Sequence, residues 1–351
     1  MELFTIYLPI AGVHFNVLVL LLIGFTVGVS GGFFGIGGAW IATPALNIFG
    51  LPMPYAIGTD LAHVGGKSIV STMRHGRFGH VDVRLGMAMI LGTTVGMEAG
   101  ANLVLALERA GLAESVIRKA YVVLLVLTGT FVMADYLIHR RRQRRAAAGD
   151  PIPPPRAALA HRLQQIRIPP MVDFAASGIR CSLWLPVLVG LATGMVASVF
   201  GVGGGFIRMP ALIYLVGCPT AVAIGTDLFE VMITGAYGAF TYGVKGRVEL
   251  LAAMWMLLAA AVGAQLGTVA VKYVRGYSIR LLFAITIFVA AASVALKQLG
   301  LQLASSITIL AAGIGISGVI IAQLVQGVLD ERTGRHGPST AGAGPGTSPP
   351  A

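Results

Sequence analysis

Asp60, His63 and Lys67 stand at spacings of three, four and seven, which places all three on one face of an α-helix. A second stretch carries Asp227, Glu230 and Thr234 at the same spacing. Carboxylates in such a row can carry protons, bind a cation or lock helices together as ion pairs. Arg208 offers the opposite chemistry, because a guanidinium keeps its charge and its planar fork suits the oxygens of an oxyanion. With Lys67 it could hold a small anion. Asp60, Glu98, Asp227 and Glu230 outnumber those two cations, so His63, Glu98 and Glu230 are candidates for proton coupling, and a cation site stays open. Both aspartates follow Gly-Thr, so the Thr59 and Thr226 hydroxyls accompany them. Gly-Thr-Asp is also a plausible helix start, with Thr or Asp as the cap.

The elements that position these residues occur twice. FFGIGGAWIATPAL at 33–46 matches VFGVGGGFIRMPAL at 199–212, and AIGTDL at 56–61 recurs at 223–228. The offset is 166 at Gly35/Gly201 and Pro44/Pro210, then 167 from Gly58/Gly225 through Gly100/Gly267. Such a match is a duplication. In each copy the glycines (Gly35, Gly37 and Gly38; Gly201, Gly203 and Gly204) interrupt an apolar run. Glycine tolerates left-handed backbone and lets a ligand approach the main chain, and a helix restarting after the break would turn free N–H groups toward an anion. The bland reading is close helix packing through small residues. Arg208 falls four residues after Gly204, where the first copy has Ala42. If it lay near a membrane surface it would simply snorkel to water.

Composition fixes the setting. The chain is 56% hydrophobic and 11% charged, with mean hydropathy +0.83, whereas soluble domains carry about 25% charged residues. Apolar stretches at 13–33, 55–73, 83–106, 116–138, 183–200, 221–242, 249–273, 278–296 and 304–327 approach the length of about 20 residues that crosses a bilayer. This predicts an all-α, polytopic membrane protein of eight or nine transmembrane helices. The domains are a first repeat over 1–138, a basic Pro-rich cytoplasmic linker over 139–181, a second repeat over 182–300, an extra helix over 301–330 and a disordered tail over 331–351. If 13–33 crosses fully, the repeats run parallel. If 13–33 and 38–49 enter and return as a hairpin, the repeats are inverted. Five basic residues against three favour the inverted arrangement when loop charges are compared.

The net charge of +11 does not point to nucleic acid. It concentrates in the linker, where RRRQRR at 140–145 reads as a positive-inside signal that also attracts anionic headgroups. RAALAHRLQQIRI, from Arg156, is read as a short amphipathic surface helix. Two cysteines allow one disulfide at most and show no metal spacing. The first residues lack the basic region of a signal peptide. Gly65-Gly66-Lys67-Ser68 imitates a P-loop ending, but Leu61 stands where the motif needs glycine, which argues against nucleotide binding.

GIGGAWIATPAL, AIGTDL, RFGHVDVRLG and GTTVGMEAGANL, with their second copies GVGGGFIRMPAL, AIGTDL, VKGRVELLAA and GAAVGAQLGT, resemble the TauE/SafE family of membrane permeases, the sulfite exporter family. The resemblance covers about 24–105 and 190–273. It implies a multi-pass inner-membrane transporter for a small sulfur-containing or related organic anion, with no cofactor. Many members read Gly-Thr-Ser where this chain reads Gly-Thr-Asp twice. The expected binding residues are the six break glycines with Thr59, Asp60, Lys67, Arg208, Thr226 and Asp227. Membrane lipids are the other expected partner, and homo-oligomerisation stays open. The competing readings are a cation or proton transporter and a non-transporting scaffold that docks through the linker. No motif of an enzyme is present.

Overall fold

The computed structural model describes residues 4–34, 40–77, 79–147, 158–165, 168–270 and 276–332. The first glycine break, with Gly35, Gly37 and Gly38, lies outside the described residues. So do most of the tail and the proline-rich part of the linker.

The first copy runs through a short hairpin of β1 (Thr5–Leu8) and β2 (Val13–Asn16), then α1 (Val17–Phe34), α2 (Ala42–Ile48), α3 (Met53–Arg77), α4 (Val83–Arg109) and α5 (Ala113–Ala147). After α6 (Ala158–Gln164), the same order returns: β3 (Met171–Phe174), β4 (Ile179–Ser182), α7 (Trp184–Phe200), α8 (Gly205–Ala211) with a π-helical turn over Leu212–Val216, α9 (Thr220–Val244), α10 (Leu250–Ala270) and α11 (Gly276–Gln298). α12 (Gln302–Arg332) follows. Among the described residues, six helices are long and apolar enough to cross a membrane: α1, α4, α5, α10, α11 and α12. α3 and α9 are 25 residues each and carry the ionisable rows.

Glycines set how the helices pack. Gly24, Gly28 and Gly32 of α1 lie against Met256, Ala260 and Ala264 of α10, in ascending order, so these helices run parallel. Gly92, Gly96 and Gly100 of α4 meet Val187, Leu191 and Met195 of α7 in the same way. A β-carbon on Gly28 would come within 2.4 Å of the Ala260 carbonyl oxygen, so the approach needs glycine. In the centre, Gly58, Leu61 and Gly65 of α3 face Tyr242, Gly238 and Gly235 of α9 in descending order, so these two helices cross antiparallel.

Ties at the ends complete the frame. At one end Arg247 bonds Glu108 and lies over Tyr55, the Ala11 N–H reaches Glu249, and the Met53 N–H reaches Glu114. At the other end Ser177 meets Asp82, and Gln164 donates to the Val216 carbonyl. The helical hairpin α1–α2 therefore has both feet at the first end, and α7–α8 has both feet at the second.

Three sequence expectations change in detail. Gly-Thr-Asp starts neither helix, since α3 begins at Met53 and α9 at Thr220. The segment read as linker contains α6, whose Ala160 is buried and whose Gln164 is tied to the π-helical turn, so the protein itself takes one face of that helix. It also contains the hairpin β3–β4, the counterpart of β1–β2: Thr5↔Asn16 and Met171↔Ser182 share one register, and Gly12 and Gly178 both have left-handed φ, of 67° and 64°. Cys181 and Cys218 are free and buried. Large apolar side chains such as Leu91, Leu127, Leu258 and Ile307 face outward, as lipid contact requires.

Candidate functional site

The antiparallel crossing of α3 and α9 gathers the buried polar groups. On the α3 side, Asp60 is fully buried. One of its oxygens accepts from the Thr43 N–H at 3.1 Å and the Thr43 hydroxyl at 2.8 Å. The other lies 3.3 Å from His63 Nδ1. Asp60 thus satisfies free N–H capacity at the start of α2, where an anionic oxygen is stabilised. His63 Nε2 is buried with no hydrogen-bond partner among the described residues. Lys67 donates to the Val27 carbonyl of α1 at 3.5 Å.

The α9 side is built around Arg208. It is fully buried, so it does not snorkel. Its Nη1 lies 3.1 Å from Asp227 Oδ1 and in close contact with Glu230 Oε2. Nη2 donates to the Gly203 carbonyl at 3.0 Å, and Nε donates to the Thr193 hydroxyl at 3.4 Å. Thr93 of α4 donates to Glu230 Oε1 at 2.5 Å. One guanidinium thus faces two carboxylates, and all three side chains are buried. The hydrogen bonds to Gly203, Thr193 and Thr93 offset part of the cost of burying this ion pair. Glu230 Oε2 is held by its contact with Arg208 alone among the described residues.

The second glycine break lies between the two sides. Gly201, Gly203 and Gly204 have φ of 76°, 66° and 77°, left-handed positions that glycine adopts without strain. A β-carbon on Gly201 would reach Thr43 Oγ1 at 2.4 Å, and one on Gly203 would touch Val64 of α3 and Val231 of α9. The loop therefore rests on the crossing itself, against α2.

Of the expected site residues, the structure brings Asp60 and His63 together on one side and Arg208, Asp227 and Glu230 on the other, with the second break beside them. It separates Thr59 and Thr226, whose hydroxyls accept backbone N–H groups of Glu249 and Asp82 at opposite ends. Glu98 pairs with Lys245 at 2.6 Å, away from Arg208. Thr43, Thr93 and Thr193 escape a reading of the sequence, since no charge or shared repeat position marks them. Asp82 and Glu249 had a signal: each is the acid after Val81 or Val248 in the two copies. An apolar cleft between α1, α2 and α12, lined by Ile23, Ile41, Phe49 and Ile309, lies apart from the polar cluster.

A multi-pass membrane transporter, and not an enzyme, is the class of protein that this frame serves. A profile of the sulfite exporter TauE/SafE family matches residues 20–294, and the chain belongs to that family. It is 28% identical over 249 residues to a probable membrane transporter protein of Xylella fastidiosa strain 9a5c, covering 70% of this chain and 80% of the relative. A counterpart in strain Temecula1 is 30% identical over the same shares of 70% and 80%. The probable membrane transporter protein YunE of Bacillus subtilis is 24% identical over 71% of this chain and 86% of its own length. No solved structure matches the chain.

Proposed function

We propose that this chain is a secondary transporter that moves a small, sulfur-containing anion such as sulfite or a sulfonate, coupled to protons, through a site at the α3–α9 crossing. The observation that carries the reading is Arg208, a guanidinium held fully buried beside a glycine break whose left-handed backbone rests on that crossing. Buried arginine among glycine-broken helices is what recognition of an oxyanion inside a membrane requires. Lys67, Asp60, Asp227 and the glycines of the second break complete the proposed site.

The repeats are read as inverted. In support, α3 and α9 occupy the same place in their repeats yet run antiparallel, so the pseudo-twofold that relates them lies across the helices. Alternating access then follows from rocking one repeat against the other. The end holding Arg77, Arg84, Arg140 and Arg141 is read as cytoplasmic in an inner membrane. The basic linker would meet anionic headgroups there. Homo-oligomerisation remains part of the proposal.

A second reading, cation transport, is favoured by Asp60, Asp227 and Glu230, which outnumber Lys67 and Arg208. One experiment separates the two. Flux of radiolabelled sulfite and of an alkanesulfonate is measured in proteoliposomes with and without a pH gradient, for the natural chain and for Arg208→Ala shown to be folded. Anion flux that depends on the gradient and is lost in the variant supports the anion reading. Folded natural protein that moves no anion under any gradient overturns it and moves the search to cations.

A further inference from the structure

We propose that Glu230 is the proton carrier of this site, and that the substrate anion takes its place on Arg208. The inference rests on the anion-transport reading and assigns the coupling step to named atoms.

The guanidinium has more partners than it needs to stay in place. Asp227, the Gly203 carbonyl and the Thr193 hydroxyl hold it on three sides without Glu230. If Glu230 leaves, Nη1 is freed toward a ligand while the plane of the fork stays fixed. A charged Glu230 cannot simply leave, because a buried carboxylate stripped of its cation is strongly destabilised. It can leave as the neutral acid.

Thr93 makes the neutral acid acceptable. A new O–H on Glu230 Oε1 needs an acceptor, and a carboxylate's neighbours are normally donors. The Thr93 hydroxyl is both donor and acceptor. It lies 2.5 Å from Glu230 Oε1, 3.0 Å from the Met89 carbonyl and 3.2 Å from the Gly190 carbonyl. In the ionised state Thr93 donates to Glu230. In the protonated state it rotates, donates to Met89 or Gly190, and accepts the Glu230 proton. Both states give the Thr93 hydroxyl and Glu230 Oε1 a partner.

Among the described residues, few other charges face Glu230. Arg208 approaches from α8 and Asp227 from its own helix. α4 presents Thr93 and α7 presents Thr193, neither of which titrates. α3, packed along α9, carries Asp60 and His63, which bond each other, and Lys67, which donates to α1.

The charges balance. Arg208 with ionised Asp227 and Glu230 sums to one negative charge. Arg208 with ionised Asp227, protonated Glu230 and a bound monoanion sums to the same. One proton adds to Glu230 Oε1 as one anion joins Nη1, and the pair of events reverses together. Anion and proton therefore move in the same direction, and the step is electroneutral for a monoanion.

The test uses the full chain in detergent and an alkanesulfonate, which carries no proton of its own at neutral pH. Binding in weak buffer is expected to take up one proton per sulfonate bound. Apparent affinity should weaken by about tenfold per pH unit wherever binding takes up one full proton. In Glu230→Gln, proton uptake should vanish and sulfonate affinity should lose its dependence on pH. Sulfonate binding without proton uptake by the natural protein overturns the proposal, and this result needs no variant to fold. Proton uptake that persists in folded Glu230→Gln also overturns it. In both cases anion binding itself stands, so the transport reading survives. If the natural protein binds no anion, the transport reading falls and takes this inference with it.

Discussion

The Thr226 hydroxyl accepts a hydrogen bond of 2.9 Å from the backbone N–H of Asp82, 144 residues earlier in the chain. Its repeat mate does the reciprocal thing: Thr59 accepts from the Glu249 N–H at 3.0 Å. Each acid also reaches a hairpin turn. Asp82 Oδ2 accepts from Ser177 N–H and hydroxyl at 3.0 and 2.7 Å, and Glu249 Oε1 accepts from the Ala11 N–H at 2.5 Å. Asp82 caps α4 as well, through the Leu85 N–H at 3.0 Å. Every Gly-Thr-Asp thus splits its work. The threonine ties the two repeats at one end, and the aspartate serves the centre.

Thr226→Val and Thr59→Val keep the side-chain shape but leave a buried N–H without an acceptor. Each is expected to lower stability by about 1–3 kcal/mol. Thermal unfolding in detergent checks this. The two variants should cost similar amounts, because the two ties are equivalent.

Helix approach gives a second, sharper contrast. A β-carbon on Gly96 would lie 2.1 Å from the Leu191 carbonyl oxygen, whereas one on Gly318 has nothing within 4 Å. Gly96→Ala must push α4 from α7 and is expected to lower the melting temperature by several degrees. Gly318→Ala should be neutral or slightly stabilising, since alanine favours a helix by up to about 1 kcal/mol.

Cys218 reports on the hairpin turn. Its Sγ lies 3.5 Å from Ser177 Oγ, and burial pushes its thiol up to about 11. The thiolate is the reactive form, so alkylation by a small maleimide should be slow near neutrality and rise about tenfold per pH unit until pH approaches that value. Asp82→Asn weakens the grip on Ser177 and should speed labelling at fixed pH. Mass spectrometry of the labelled peptide measures both effects.

Much of this arrangement is legible in the chain. The apolar runs match the helices closely: 83–106 becomes Val83–Arg109 and 221–242 becomes Thr220–Val244. Glycine and proline mark the breaks because backbone geometry demands them. The repeat offset marks which residues are equivalent. The β-hairpins escape notice because strands of four residues lack enough alternation to register. The partners inside the cluster escape notice for a different reason. Thr93 and Glu230 lie 137 residues apart on different helices, and Thr43 lies 17 residues before Asp60 across a turn of chain. Periodicity specifies a face of a helix, and not the neutral hydroxyl that will oppose it.

The measurement that bears most directly on the account is counterflow. Proteoliposomes preloaded with concentrated unlabelled sulfite are diluted into dilute radiolabelled sulfite with no pH gradient, so that the outward sulfite gradient is the driving force. A single site alternating between the two ends predicts rapid, transient accumulation of label that depends on the preloaded anion. Folded protein that shows no acceleration by internal sulfite or by an alkanesulfonate would contradict an anion site at the α3–α9 crossing.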